Sequence, residues 1–177
     1  MPLGQGFDER KAIEAILYVA ARVGDPGFHR ISKLLYFADK KHLARYGSVI
    51  AGDDYVAMRL GPVPSNAYNL MKAVKGVELR TNGEEAAKAF AVVDDCIIKP
   101  LREANLDYLS EADIESLDAA ISEFGSLPFQ NLTDLSHDSA WKAADRNDRM
   151  DIEDIAGASD DSETVVSFVR DRRAGRA

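Results

Sequence analysis

The apolar residues near the N-terminus recur with the spacing of an α-helix. Between Glu9 and Val23 they share one helical face, at Ile13, Ile16, Leu17 and Ala20. This i, i+3, i+4, i+7 spacing predicts an amphipathic helix over residues 9–23, for which Asp8 is a suitable N-cap. The sequence GDPG at residues 24–27 then gives a strong turn signal that ends the helix.

The same spacing predicts a second, central helix from about Phe28 to Tyr46. Its apolar stripe consists of Ile31, Leu34, Leu35 and Ala38. Tyr36 and Phe37 widen the apolar arc, so we expect neighbouring elements to cover this helix on more than one side. Gly47 follows Tyr46 and suits the left-handed conformation of the residue after a helix.

An alternating stretch and a glycine–proline segment come next. The side chains of Tyr55–Leu60 alternate between a more and a less apolar face, which predicts a short strand. The segment Gly61–Pro64 carries two prolines, each of which fixes its own φ and holds the preceding residue extended. We interpret this segment as a rigid corner that leads into a helix beginning at Pro64 or Ser65. It lacks the glycine spacing and the Lys-Ser/Thr pair of a phosphate-binding loop.

The second half of the chain predicts two more strands and three helices. Residues 88–93 and 96–98 have the pattern of strands joined by a two-residue turn at Asp94-Asp95. Ser110, with Asp113 three residues on, is predicted to cap a helix that ends at Gly125, and shorter helices are expected over 128–135 and 139–144. Together with the strand at 55–60, this predicts an α+β fold: a mostly α-helical single domain with a small antiparallel sheet of about three strands.

Two separated stretches of the chain resemble one known family. They are LLYFADKKHLARYG with GDDYVAMRLGPVPS, and further on LSHD (135–138) with AWKA (140–143). In this order they resemble the Panacea domain, also called the SocA-like antitoxin domain, and the resemblance runs from Ile13 to Ala144. We interpret the positions that match the family pattern as structural; they are Lys33, Tyr36, Asp39, Gly61, Pro62, Pro64, His137 and Trp141.

The resemblance implies an antitoxin of a prokaryotic toxin–antitoxin pair. Such a protein neutralises a cognate protein toxin by direct binding, and the resemblance further implies a proteolytic adaptor role, in which the toxin is handed to a protease. It attaches no catalytic role to the matching residues. Two rival hypotheses are a DNA-binding transcriptional regulator and an enzyme of unknown type.

Charge and composition help to choose between these hypotheses on the function of the protein. The chain of 177 residues has a net charge of −8, which argues against broad affinity for nucleic acid or anionic membranes. Its one cysteine excludes an internal disulfide framework and suits a reducing compartment. No stretch approaches the roughly 20 apolar residues of a membrane span, and the N-terminus lacks the pattern of a signal peptide, so we expect a cytoplasmic protein without membrane partners.

Few residues are candidates for chemistry. The three histidines, His29, His42 and His137, lack the spacing of metal ligands, and no nucleophile accompanies them. We therefore predict no metal, no cofactor and no enzymatic activity, and interpret His137 and Trp141 as a structural pair. Cys96 lies among apolar strand residues, so we expect it to be buried and unreactive.

The central helix is basic although the chain is acidic. Five basic residues stand against Asp39 between positions 30 and 45, namely Arg30, Lys33, Lys40, Lys41 and Arg45. This charge suits a recognition helix that contacts phosphates in a winged-helix-like element, or a patch for an acidic protein. It equally suits the solvated face of a core helix, which we favour because the overall charge opposes nucleic-acid binding.

The charge of the C-terminal part changes from negative to positive along the chain. Residues 145–163 hold eight acidic residues and two arginines, followed by Val165, Phe168 and Val169 at i, i+3, i+4 and by a basic tail. We predict a flexible lead-in at 1–8, the domain at 9–170 with its acidic portion at 145–163, and the basic tail at 171–177. The apolar stripe either packs on the domain, which we favour, or docks a partner. The candidate contacts to a toxin are Asp151, Glu153, Asp154 and Phe168.

Overall fold

The computed structural model of the chain describes residues 6–81, 83–159 and 162–175. Most of the predicted lead-in, two acidic residues of the C-terminal portion (Asp160 and Asp161) and Arg176 of the basic tail lie outside these ranges. In chain order the described elements are α1 (Glu9–Ala20), α2 (Phe28–Tyr46), β1 (Tyr55–Met58), β2 (Gly61–Pro64), α3 (Ser65–Lys75), α4 (Glu84–Ala89), β3 (Phe90–Val93), β4 (Ile97–Pro100), a 3-10 turn (Leu106–Tyr108), α5 (Glu111–Phe124), α6 (Phe129–Ser136), α7 (Ser139–Ala143), α8 (Ile152–Gly157) and α9 (Ser162–Arg173).

Helix α2 lies at the centre of the domain. It packs against α5, β2, α6 and α1, and it also contacts α3, α8 and α9. The apolar stripe of the sequence and the flanking Tyr36 and Phe37 are all buried, because neighbours cover the helix on several sides. Gly47 ends α2 in the left-handed conformation with φ 71°, as its sequence position predicts.

Local capping signals fix the ends of the other long helices. Asp8 accepts a hydrogen bond from the Lys11 backbone amide at the start of α1. At the start of α5, Ser110 and Asp113 cap each other's backbone amides in a reciprocal capping box, although aspartate replaces the usual glutamate. These predicted caps are confirmed, whereas α4 was not predicted and takes Lys88 and Ala89 from the start of the strand expected over 88–93.

The α+β class is confirmed, but the strands are arranged differently from the prediction. They form two separate two-stranded antiparallel sheets, β1–β2 and β3–β4, rather than one sheet of about three strands. The segment Gly61–Pro64 is itself strand β2, paired from Met58↔Gly61 to Tyr55↔Pro64, so Arg59 and Leu60 form a two-residue hairpin turn. The interpretation of Gly61–Pro64 as a rigid corner after the strand was therefore wrong. Its prolines fit into β2 because proline is tolerated on an edge strand such as this one.

The second hairpin also differs in its turn. Val93 pairs with Ile97, so three residues rather than two connect β3 and β4. Asp94 and Asp95 both adopt positive φ, 47° and 72°. Cys96 is the third residue of this turn and is exposed, which corrects the expectation of a buried thiol.

The acidic C-terminal portion is held on the domain. Its residues 147–150 run along the free edge of β1, where the Ala57 amide donates to the Asp148 carbonyl and the Met150 amide donates to the Tyr55 carbonyl. Helix α9 packs on α8 and α2, and it buries Val165 and Val169. Among the described helices none is long and apolar enough to cross a membrane.

Candidate functional site

The family-pattern residues meet around the β1–β2 hairpin, where Lys33 of α2 lies underneath β2. The Lys33 side chain is 1% exposed, and its Nζ donates to the Pro62 carbonyl oxygen at 2.9 Å. Within the described residues no carboxylate lies in ion-pair distance of this ammonium group. Burial lowers the pKa of Lys33 to about 7, because the charged form loses its hydration.

Gly61 brings the hairpin into direct contact with α2 and α6. Its φ is +105°, a region that side-chain-bearing residues rarely adopt. A Cβ atom at this position would overlap Ser136 Oγ and would lie 2.9 Å from Lys33 Cε. Both the backbone conformation and the available space therefore require glycine here.

His137 and Trp141 hold the turn of the hairpin from the other side. Their rings stack with centroids 3.7 Å apart, and Trp141 Nε1 donates to the Met58 carbonyl oxygen at 2.8 Å. Burial and the charge of Lys33 lower the pKa of His137, an effect that the nearby Arg59 backbone opposes. This pair therefore lies against the start of the turn, at Met58 and Arg59.

Asp138 links the histidine–tryptophan segment to the central helix. Its Oδ2 accepts from the Tyr36 hydroxyl at 2.8 Å and from Lys40 Nζ at 2.9 Å, while its Oδ1 caps α7 by accepting from the Trp141 amide. Burial raises the pKa of Tyr36, so its hydroxyl stays protonated and donates. The sequence analysis missed this role of Asp138, although an aspartate three residues before Trp141 is an N-cap signal.

Asp39 joins the central helix to β1. It is 5% exposed and accepts from the Ile50 amide at 2.7 Å and from the Tyr55 hydroxyl at 2.6 Å. Burial raises its pKa to about 6, an effect that these two hydrogen bonds oppose. Asp39 thereby fixes the chain that enters β1.

Pro64 occupies the N-cap position of α3, where it cannot provide a side-chain acceptor. Asp53 supplies the carboxylate instead, accepting from the Asn66 and Ala67 amides at 2.9 and 2.8 Å. The sequence alone did not reveal this capping across the hairpin, because Asp53 and the start of α3 are brought together only when β1 and β2 pair.

The basic residues of α2 are occupied within the domain. Arg30 donates to the Gly125 and Leu127 carbonyl oxygens, and Lys33 donates to Pro62. The other three form ion pairs, Lys40 with Asp138, Lys41 with Glu123 and Arg45 with Glu115. The preferred interpretation, a core helix, agrees with these contacts, and they leave the recognition-helix alternative without free cations on this helix.

The remaining candidates for chemistry lie apart from one another. His29 stacks on Phe129 and lies 2.9 Å from Thr133 Oγ1, whereas His42 lies between the Ser48 carbonyl and the Asp113 carboxylate. Among the described residues no three histidine, cysteine or acidic side chains are placed to hold a metal ion. A cleft of about 780 Å³ beside β1 is lined in part by charges that already pair, such as Asp54 with Arg149 at 2.6 Å.

The candidate toxin contacts differ in their surroundings, since some are exposed and others are paired or partly buried within the domain. Asp151 caps α8 and Asp154 is exposed, but Glu153 pairs with Arg170 at 2.9 Å and with Arg173 at 3.6 Å. Phe168 is half-buried, and its ring lies beside Gly47, where an added Cβ would be 3.1 Å from Phe168 Cε1. Arginines of α9 thus neutralise part of the acidic portion. The apolar stripe of α9 packs on the domain.

A comparison with models of protein families identifies the family of this chain. The family model of the SocA-like antitoxin, Panacea domain, matches residues 31–142, which include every family-pattern residue described above. The chain belongs to this family, and an antitoxin-like role follows from that membership. No curated protein and no solved structure matched the chain.

Proposed function

We propose that this protein is the antitoxin of a toxin–antitoxin pair and neutralises its toxin by direct protein–protein contact, without catalysis. Family membership supports the antitoxin role. The observation that carries the mechanism is the inward orientation of the family-pattern residues. Lys33, Asp39 and Gly61 bond or pack within the domain, so they build a scaffold instead of lining a reaction site.

A scaffold of this kind acts by presenting surface. Binding a toxin buries the part of the toxin that attacks its target, and the affinity depends on a few well-packed contacts within a larger interface. The exposed carboxylates of Asp151 and Asp154 contribute to this surface in our proposal. They attract basic groups of the toxin and raise the association rate, whereas Glu153 contributes less because it is already paired.

The test uses the protein encoded by the reading frame next to this gene. Expressed alone in bacteria it should arrest growth, and coexpression of this chain should restore growth. The two purified proteins should elute together in gel filtration. A neighbouring protein that is harmless, or that stays toxic and unbound beside this chain, would show the proposal to be wrong.

The same cells distinguish neutralisation from proteolytic delivery. If the chain acts as an adaptor in the cytoplasm, its coexpression shortens the lifetime of the toxin after protein synthesis is stopped. If it acts by binding alone, the toxin persists in an inactive complex. DNA binding is tested with the promoter fragment upstream of the gene, since phosphate contacts would give a steep salt dependence.

A further inference from the structure

Exposed apolar side chains lie at the turn of the β1–β2 hairpin and on the neighbouring helix α6. We call this region the tip surface and define it by Arg59, Leu60, Phe129 and Leu135. Leu60 is 40% exposed, and Phe129 and Leu135 are each 49% exposed. Strand β2 packs against α6, which carries Phe129 and Leu135, so the two parts of the surface belong to neighbouring elements.

The backbone beneath the tip surface is held in place by several long-range contacts. Trp141 donates to the backbone at Met58, His137 stacks on Trp141, and Lys33 donates to the Pro62 carbonyl beyond the turn. Two of these three side chains are aromatic or imidazole groups that stack on each other. The backbone of the turn is therefore anchored on both sides, at Met58 and at Pro62, which lowers the entropy lost when a partner binds.

The charge of this region is opposite to that of the whole chain. Arg59 has no ion-pair partner within the described residues. Lys33 lies below the turn, and no carboxylate of these residues pairs with its ammonium group. Arg146 lies over the Trp141 ring, 5.6 Å from its centroid. Asp134 on α6 is an acidic neighbour, and its Oδ1 accepts from Gln130 Nε2. An acidic protein of net charge −8 thus carries a locally basic apolar surface.

We propose that the tip surface forms the main contact with the toxin after the Asp151 and Asp154 carboxylates have speeded its association, and that this surface takes an apolar segment of the toxin bearing an aspartate or glutamate. In this complex Leu60, Phe129 and Leu135 exclude water, and Arg59 pairs with the carboxylate. Charge complementarity selects an acidic segment, because a basic one would face unpaired cations. The inference rests on the proposed antitoxin function and specifies the contact through which that function is exerted.

The experiment compares matched surface variants for binding to the purified product of the neighbouring reading frame. The double variant Leu60→Ser, Leu135→Ser removes apolar side chains from the tip surface. Its control is Leu106→Ser in the 3-10 turn, at a residue that is also 49% exposed. The charge variant is Arg59→Glu, and its control is Arg80→Glu, at an exposed arginine that follows α3. Circular dichroism melts verify that each variant is folded.

We expect the double variant and Arg59→Glu each to weaken binding about tenfold or more, and both controls to stay within about twofold of the wild type. Arg59→Glu should also slow association at low salt. Tight binding by both tip variants would overturn the inference while leaving the antitoxin function intact. Failure of the wild type to bind or neutralise the neighbouring protein would instead overturn the function, and the inference with it.

Discussion

Lys33 Nζ and the Pro62 carbonyl oxygen form a buried hydrogen bond of 2.9 Å across 29 residues of sequence. The bond joins the central helix to the hairpin, but one carbonyl oxygen compensates poorly for the hydration that an ammonium group loses on burial. The lowered pKa of Lys33, about 7, expresses this cost. The domain thus keeps a cation that destabilises it at neutral pH, directly below the turn that we assign to toxin binding.

The first prediction concerns the pH dependence that Lys33 creates. Its pKa is lower in the folded chain than the usual 10.5, so between pH 7 and 10.5 the unfolded chain binds more protons and stability rises with pH. From pH 7 to 9 this contribution should reach about 2 kcal/mol, at about 1.4 kcal/mol per pKa unit. Urea unfolding at the two pH values measures it.

Lys33→Met is the matched variant, because methionine fills similar space without a charge. It should raise the free energy of unfolding at pH 7 and should lack the increase between pH 7 and 9. Staying at or below pH 9 keeps the ionisation of tyrosines small, since their usual pKa is about 10. A wild type and a variant with parallel stability profiles over this range would mean that Lys33 keeps an ordinary pKa.

The second prediction separates backbone strain from steric overlap at glycine. Gly61 and Gly76 have almost the same φ, 105° and 100°, but only at Gly61 would a Cβ overlap other atoms. Gly76→Ala should therefore cost about 1–2 kcal/mol from backbone strain alone. Gly61→Ala should cost about 2 kcal/mol more, since Ser136 and Lys33 must move. Equal losses in thermal or urea unfolding would contradict the close packing of the hairpin on α6.

The third prediction concerns Trp141. Trp141→Phe keeps an aromatic ring against His137 but removes the bond from Nε1 to the Met58 carbonyl. We expect a loss of about 1 kcal/mol and faster amide exchange in the hairpin, because its turn loses one of its anchors. Hydrogen exchange followed by mass spectrometry measures both hairpins, and β3–β4 is the internal control. Uniformly faster exchange would indicate a general loss of stability instead.

The parts of the fold that could be predicted are those decided over a few residues. Asp8, Gly47 and the pair Ser110–Asp113 mark helix ends because their hydrogen bonds reach only three or four residues along the chain. The family-pattern residues could be identified from the sequence as well. Their common location around the hairpin could not, because Lys33 and Pro62 are brought together by the packing of α2 against β2.

The mistakes have physical reasons of the same kind. Two prolines in Gly61–Pro64 argue against a central strand, but β2 lies at an edge where missing amides are tolerated. Cys96 follows two aspartates with positive φ, and these conformations extend the turn by one residue and expose the thiol. Glu153 pairs with Arg170 only because α9 returns to the domain, a contact that the spacing of these residues in the sequence does not show.

The fourth prediction concerns acid stability. Asp113 is 1% exposed; Lys11 Nζ lies 2.7 Å from its Oδ2 and His42 Nε2 lies 3.1 Å from its Oδ1. Burial opposes ionisation, but the hydrogen bonds from His42 and Lys11 prevail and hold the pKa of Asp113 well below its usual 3.8. A lowered carboxyl pKa gives stability that is complete above about pH 4 and is lost as the pH falls further.

Asp113→Asn should cost about 3 kcal/mol at pH 7, because it leaves His42 and Lys11 without their carboxylate. It should also flatten the fall in stability between pH 4 and 2. Glu115→Gln is the control, since this exposed carboxylate pairs with Arg45 at the surface, where solvent screens the interaction, and its loss should change stability little. If both variants kept the acid response of the wild type, the stabilising carboxylate would lie elsewhere.

The last prediction asks what attaches α9, which lies beyond the residues that the family model matches. Val169 is fully buried, whereas the ion pairs of Glu153 with Arg170 and Arg173 are exposed to solvent. Val169→Ala removes two buried methyl groups and should cost about 2 kcal/mol, so that amides of α9 exchange faster than those of α2. Glu153→Gln should change exchange in α9 only slightly, because solvent weakens such pairs. If Glu153→Gln increased amide exchange in α9 as much as Val169→Ala does, then ion pairs and not apolar packing would hold this helix on the domain. The attachment would then weaken with added salt, which the same exchange measurement at two salt concentrations would reveal.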